Sequence, residues 1–364
     1  MGNIREVARH AGVSPSSVTR VLNGHPNVSG DLRARVLAAV EACDYKPDLM
    51  AAGLRRGISR TIGVVVSDIV NPLFAEIVEG LEEHLRGHGY WVVLAHSHGD
   101  PDRDVESIGL LQQRRVDGLV LSVADETQPR LVDALRRLPV PVVLLDREIE
   151  GWTDADAVLS DHRPGVSRVT GQLLDAGHRR VGLISGSRET RPGRERQAGF
   201  LDAFHERGLP SSPELVRTGA MSVPVGEQSA MEIFADDRPP TAVITGANLQ
   251  LVGVLHTLQR LGLLVGRDVA VAACDDVPIA ALHNPPITVV ARDTRQLGRE
   301  AAGLLLARLA HPQKPFQTLH LPTEVIVRRS TELCTDTAAR GRPADCQADE
   351  ATVSGPEPRL ARTE

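Results

Sequence analysis

From Thr61 onward the chain alternates apolar runs of four to six residues with amphipathic segments of ten to fifteen, and this rhythm is what most narrows the choice of fold. The runs TIGVVV (61–66), YWVVLA (90–95), GLVLS (118–122) and PVVLLD (141–146) have the texture of strands covered on both faces. Helices are expected between them, one opening at Asn71-Pro72 and others over 103–113 and 129–137. The pattern restarts with VGLIS (181–185), TAVIT (241–245) and DVAVAAC (268–274), separated by helices such as 193–205 and 249–261. Such repetition of strand and helix builds parallel sheets with helices on both sides, which predicts two doubly wound parallel α/β lobes. A length of 364 residues exceeds one ordinary core, and 41% apolar residues suffice to fill two or three. Aromatic residues make up only 2%, so the cores must be built from Val, Leu, Ala and Ile.

The first 45 residues have a different texture. Asn3 is placed to cap a short helix with Ile4, Val7, Ala8 and Ala11 on one face, and Gly12 ends it. Ser14 caps a second helix with Pro15 at its first position and Val18, Val21 and Leu22 turned inward. Ser29 caps a third, whose Leu32, Val36, Leu37 and Val40 are expected to close a three-helix core with Cys43 near its end. Two short helices joined by a Gly-containing turn form a helix-turn-helix. Helix pairs of this kind occur in many all-α segments, so the outward face of the second helix has to decide. That face carries Pro15, Ser16, Ser17, Thr19 and Arg20, small, hydroxylated or bidentate groups that fit a major groove and reach base edges. Residues 1–60 hold nine Lys and Arg against five Asp and Glu, a net +4 that leaves −10 for the remainder of a chain whose total is −6. A basic head on an acidic body confines nucleic-acid contact to one end.

Other function classes find no support. The four cysteines (43, 274, 334, 346) form no CxxC pair and no metal-ligand spacing, which suits reduced thiols in a cytoplasm. No apolar run approaches eighteen residues and the N-terminus enters a polar helix directly, so neither a membrane span nor a secretory signal is expected. GxGxxG after a strand, GxxxxGK[ST], GxSxG and HExxH are all missing. His84 with His88 and His96-Ser97-His98 with Asp100 read as solvated side chains, and neither a metal nor a cofactor is expected. Asp275 and Asp276 are adjacent at a strand end and therefore point to opposite sides, which argues against a shared proton.

The segment AGVSPSSVTRVLN, followed by VSGDLRARVLAAVEACDYKP, resembles the headpiece of the LacI/GalR family of bacterial repressors, and the resemblance runs from about residue 3 to 333. It implies three parts: a helix-turn-helix headpiece over 1–46, a hinge helix and linker over 47–60, and a two-lobed body over 61–333 of the type I periplasmic-binding-protein kind. The first lobe would comprise about 61–160 and 292–321, the second about 161–291 and 322–333, with chain crossings near 160–161, 291–292 and 321–322. The hinge segment DLMAAGLR (48–55) is too short to be helical alone in water. In the resembled family such a helix orders on the operator and wedges a leucine into the minor groove, here Leu54, with Arg55 beside it. Ser14, Asn23 and the outward face of the second helix would complete the DNA contact.

Ligands of open α/β sheets lie outside the carboxyl ends of the strands. The resemblance places Leu73, Phe74, Asp146, Arg147, Asp161, Thr190, Arg196, Met221, Asn248 and Asp275 around such a cleft, suited to a sugar or other small polar metabolite. Leu73 and Met221 stand where relatives often have aromatic residues, Asn248 where aspartate is usual and Arg292 where glutamine is common. The helix over 295–309 belongs by resemblance to the first lobe, and parts of the two lobes would form a homodimer face. Residues 334–364 lose periodicity and lack a leucine heptad, so a disordered tail and a dimer rather than a tetramer are expected. The implied function is sequence-specific repression at a pseudo-palindromic operator, modulated by the ligand. A solute-binding protein of transport and an α/β enzyme are the alternatives; the first needs a signal peptide and the second nucleotide loops or a nucleophile motif, and neither is expected from this sequence.

Overall fold

The computed structural model describes residues 3–22, 25–45 and 58–332. α1 (Ile4–Ala11) starts at Asn3, whose side chain accepts from the Arg5 and Glu6 amides while the Glu6 carboxylate accepts from the Asn3 amide. This reciprocal cap satisfies donors that a helix start otherwise leaves free. Gly12 ends α1 at φ 63°, in the left-handed region that side chains resist. α2 (Pro15–Leu22) and α3 (Gly30–Ala42) follow, and Val7, Ala8, Ala11, Val18, Val21, Val36 and Ala39 form their common core. Leu37 does not join it: the buried stripe of α3 runs through Leu32, Val36, Ala39 and Cys43 at four- and three-residue steps, so Leu37, one position off, is 51% exposed.

In the body, β1 (Thr61–Val66), β2 (Trp91–His96), β3 (Gly118–Ser122), β4 (Val142–Leu145), β5 (Asp156–Ser160) and β11 (Thr318–Leu321) make a six-stranded sheet in the order β11-β5-β4-β3-β1-β2. A second sheet of six holds β6 (Val181–Gly186), β7 (Val216–Gly219), β8 (Ala242–Thr245), β9 (Ala270–Cys274), β10 (Thr288–Ala291) and β12 (Glu324–Ile326), in the order β12-β10-β9-β8-β6-β7. Every pairing is parallel except β10 with β12. The chain leaves the first sheet after Ser160, returns after Ala291, and crosses again between Leu321 and Glu324. We call the two halves the first and second lobe.

Two features depart from the expected strands. β2 lies at a sheet edge with Trp91 65% and Val93 42% exposed, while Val92 and Leu94 on its opposite face pack against the core. β5, β7, β10, β11 and β12 are not marked by apolar runs, being three to five residues long with no more than three apolar residues in a row. Among the described residues no helix is long and apolar enough to cross a membrane.

The first lobe is completed from far along the sequence. α4 (Pro72–Gly87) opens at Asn71, whose side chain accepts from the Leu73 amide at 3.1 Å. The helix we number α12 (Thr294–Ala310) packs against α4 and adds Leu297, Ala301 and Leu305 to the core of Ile62, Val64, Ile77 and Leu81. Arg308 of α12 makes a buried two-point pair with Asp156 of β5, both bonds 2.9 Å. The close approach of α12 and α4 is set by two glycines: a side chain at Gly80 would meet the Arg295 carbonyl, and one at Gly298 the Ile77 carbonyl. Backbone on the facing side cannot turn away as a side chain can. Gly298→Ala is therefore expected to lower the urea midpoint by an amount equivalent to roughly 1–3 kcal/mol, with the slope of the transition unchanged. A midpoint equal to that of the parent would show that the helices separate freely.

Candidate functional site

On the headpiece, Ser14, Pro15, Ser16 and Arg20 are exposed, while Ser17 and Thr19 are half-buried. The Ser14 hydroxyl accepts from the Ser17 amide at 3.2 Å and lies 2.8 Å from the Ser16 hydroxyl, and the Thr19 hydroxyl donates to the Pro15 carbonyl at 3.0 Å. Arg35 of α3 donates to the Ala11 carbonyl at 2.6 Å, fixing the turn that sets α2 against α1. Asn23, Leu54 and Arg55 lie outside the described residues, as do most of the expected hinge and the whole expected tail. Where the described chain resumes, Asp117 accepts from the Ser59 and Arg60 amides at 2.7 and 2.8 Å. This holds Arg60 at φ 56°, with its guanidinium 5.0 Å from the centre of the Tyr90 ring. The segment entering the body is thus anchored to the first lobe.

The carboxyl ends of the two sheets face each other across a cleft. Asp146 follows β4 at φ 54° and Asp275 follows β9 at φ 71°. Each donates its amide to the adjacent strand, to Val158 and Val290 respectively, both at 2.9 Å. The two carboxylates are counterparts, one per lobe. Asp146 accepts from the Ser160 amide at 2.7 Å and from His162 Nε2 at 2.9 Å. Arg292, the first residue after β10, donates Nε to Asp275 at 2.7 Å and Nη1 to both Asp146 and the Ser160 hydroxyl. Arg196 Nη2 stands 4.0 Å from Asp275, and its buried Nε has no partner.

Burial opposes the charges of Asp146 and Asp275, but the surrounding cations and donors outweigh it and hold both carboxyls below the usual range. Burial pushes His162 down to about 4 against the pull of Asp146, so it is neutral at pH 7 and its Nε2 carries the shared proton. Ser160 and His162 both give protons to Asp146, so this cluster fixes a carboxylate and does not form a proton relay to a nucleophile.

Further ties join the lobes at the rims. Asn248 donates to Asn71 at 2.8 Å, and Glu126, in the loop after β3, accepts from the Arg191 amide and from Arg194, both at 2.7 Å. Burial raises the Glu126 carboxyl, with Arg147 opposing. The cavity between the lobes is about 60 Å³, small beside the ~300–1,000 Å³ of a typical ligand site.

Of the residues expected around the cleft, Leu73, Phe74, Asp146, Arg147, Arg196, Met221 and Asp275 line this cavity. Asp161, Thr190 and Asn248 do not. Asp161 turns to His320 at 3.0 Å, Thr190 hydrogen-bonds Ser187 at the start of the helix Arg191–Glu206, and Asn248 is occupied by Asn71. The sequence did not point to Ser67, Asp68, Asn71 and Ser122, which line the cavity, or to His162 beneath it, while Arg292, noted only as standing where glutamine is common, lines it as well. Asn71 had a legible signal, an Asn-Pro step directly after the first strand, whereas His162 and Glu126 had none. Asp275 and Asp276 do diverge, Asp276 pairing with Arg328 at 2.7 Å on the far side.

Residues 3–48 match the family model for bacterial regulatory proteins, lacI family, and residues 170–331 match the periplasmic binding protein-like domain. The ribose operon repressor of Escherichia coli (strain K12) is 32% identical over 333 residues, covering 91% of this chain and 100% of that protein. The chain belongs to the LacI family. The transcriptional repressor PurR of Haemophilus influenzae (strain PittEE), 30% identical over 336 residues, covers 91% of this chain and is itself covered to 99%. The structure of the lac repressor dimer bound to operator and the anti-inducer ONPF has TM-score 0.80 at 26% identity, covering 90% of this chain and 98% of that one. As a LacI family member the chain is a DNA-binding transcriptional regulator and not an enzyme.

Asp104 supports the Glu126 loop of this LacI family body from below, accepting from the Ala124 amide at 2.7 Å while fully buried. Burial raises its carboxyl to about 6. The folded state therefore binds this proton more tightly than the unfolded chain does. Its destabilisation is absent below about pH 4, grows as pH rises and is complete above about pH 6, reaching roughly 2–3 kcal/mol. Asp104→Asn keeps the acceptor and removes the titration, so its urea stability should gain on the parent between pH 4 and 6 and run parallel above pH 7. Parallel curves throughout would place the ionisation elsewhere.

Proposed function

We propose that this LacI family regulator represses transcription as a homodimer on a pseudo-palindromic operator in the bacterial cytoplasm, and that a small polar metabolite in the interlobe cleft modulates it. The observation that carries the DNA-reading assignment is the exposed face of α2, where Arg20 stands clear of the core beside Pro15 and Ser16. Ser14, Ser17 and Thr19 flank it, Asn23 follows it, and Leu54 and Arg55 would act at the centre of the site. A two-fold dimer sets two such heads one helical turn or a multiple apart, which is why the operator would mirror itself. The lac repressor, a relative whose dimer is bound to operator, supports this reading.

For the cleft, the support is the convergence of Asp146, Asp275, Arg196 and Arg292 with Leu73, Phe74 and Met221 on one small space. Charged fork-shaped donors and carboxylates orient a heteroatom-rich molecule, and the apolar residues cover its flanks. Closing or opening the lobes on such a ligand would change the angle at which the anchored residues 59–60 deliver the two heads, with a coupling of about 1–3 kcal/mol. No cofactor or metal enters this reading.

Genome-wide footprinting followed by binding assays on the recovered site tests the function. Arg20→Ala should weaken operator binding by roughly 1–3 kcal/mol and relax base preference at one position of each half-site. Equal weakening on random duplex would limit Arg20 to phosphate contact, and no preference of the parent for any duplex would end the proposal.

A further inference from the structure

We propose that Arg292 is an internal latch: its guanidinium takes the place between the two lobes that a bound ligand would bridge, and so closes the cleft without one. This rests on the reading of the cleft as an effector site, but its test below does not require an effector.

Arg292 sits where the chain leaves the second lobe for the first, and one side chain reaches a carboxylate of each: Asp275 at the end of β9 and Asp146 at the end of β4. A third donor contact, 3.2 Å to the Ser160 hydroxyl, lies on the first lobe. Its side chain is only 6% exposed and those of the two aspartates 7% and 8%, so these charges interact where water screens them little. Remove the guanidinium and two desolvated carboxylates face each other across the cleft, each left with one more distant cation, Arg191 at 3.8 Å from Asp146 and Arg196 at 4.0 Å from Asp275, and with no group that touches both. Closure would then oppose like charges, and opening would let water reach both. The rim contacts between Asn71 and Asn248 and between Glu126 and Arg194 lie outside this pair, and Arg191, whose Nη1 donates to the Ser160 carbonyl at 2.8 Å, reaches Asp146 but not Asp275.

The volume left over agrees. With Arg292 in place the cavity of about 60 Å³ admits a few water molecules, not a sugar or a nucleobase. A ligand must therefore take over at least one of the two carboxylates, and only a group that donates hydrogen bonds to it replaces what Arg292 supplies. Vicinal hydroxyls and amines qualify, whereas a carboxylate or phosphate would meet Asp146 and Asp275 as a third like charge. The latch thus sets ligand class as well as resting conformation. A neutral glutamine at this position, common in the resembled family, holds no comparable two-carboxylate bridge.

The test uses the full-length protein, small-angle scattering and limited proteolysis of the interlobe crossings, without DNA or effector. Arg292→Ala should expand the scattering profile and speed crossover cleavage by at least about tenfold, since cleavage tracks the open population. Methylguanidinium at millimolar concentration should restore the compact profile and slow cleavage in Arg292→Ala, while methylurea, similar in shape but uncharged, should not; the parent should respond to neither. Arg292→Lys keeps the charge but loses the fork, and should fall between the two; it carries the test if the alanine variant fails to fold. Arg292→Ala or, in that event, Arg292→Lys as compact and as slowly cleaved as the parent would overturn the latch, as would equal rescue by both compounds or by neither. The effector-site reading fails separately, if no sugar, amine or nucleobase alters operator retention by the parent or by Arg292→Gln.

Discussion

A parallel pair of strands cannot be closed by a hairpin, and in this body all strand pairings but one are parallel. Each crossover carries the chain back over a face of its sheet, so the parallel strands of a lobe all end on the same side, with β12 alone running the other way. Two lobes built this way and joined at strand ends present those sides to each other. The cleft is a product of that constraint, and several polar residues it gathers, Ser67, Asp146, Asp275 and Arg292, directly follow strands. Left-handed φ at Asp146 and Asp275 marks where each strand stops extending and turns its side chain into the shared space.

What was legible in the sequence follows from the same geometry. Strands buried on both faces need uninterrupted apolar residues, so β1, β3, β4, β6, β8 and β9 stood out. Short strands beside a crossing did not, because pairing rather than side-chain pattern makes them strands; β5 and β11 at one side of the first sheet are examples. Leu37 shows the limit of reading helix faces by eye, where a 100° step separates buried Val36 from an exposed neighbour. The cleft was partly legible. Residues after clear strands could be placed, but Asn248 and Thr190 were spent on local or cross-lobe hydrogen bonds that no one-dimensional pattern encodes.

Charge in the cleft is arranged for permanence. Asp146 receives His162, the Ser160 amide and Arg292; Glu126 receives Arg194 and the Arg191 amide. Buried ions so surrounded contribute little net stability against an apolar alternative, yet they tolerate few other arrangements. The headpiece is the opposite kind of object. Its core of Val and Ala side chains closes within about 40 residues and owes nothing to the lobes.

The placement of α12 and β11 has a consequence for synthesis. A ribosome releases the reading head first, and its small core is local enough to form at once. Neither lobe is whole until residues 294–326 have emerged, because α12, β11 and β12 close structures begun more than a hundred residues earlier. A nascent chain therefore carries a finished head on an unfinished, sticky trunk for most of its translation, and a premature stop before α12 would leave apolar faces of the first lobe bare to quality control.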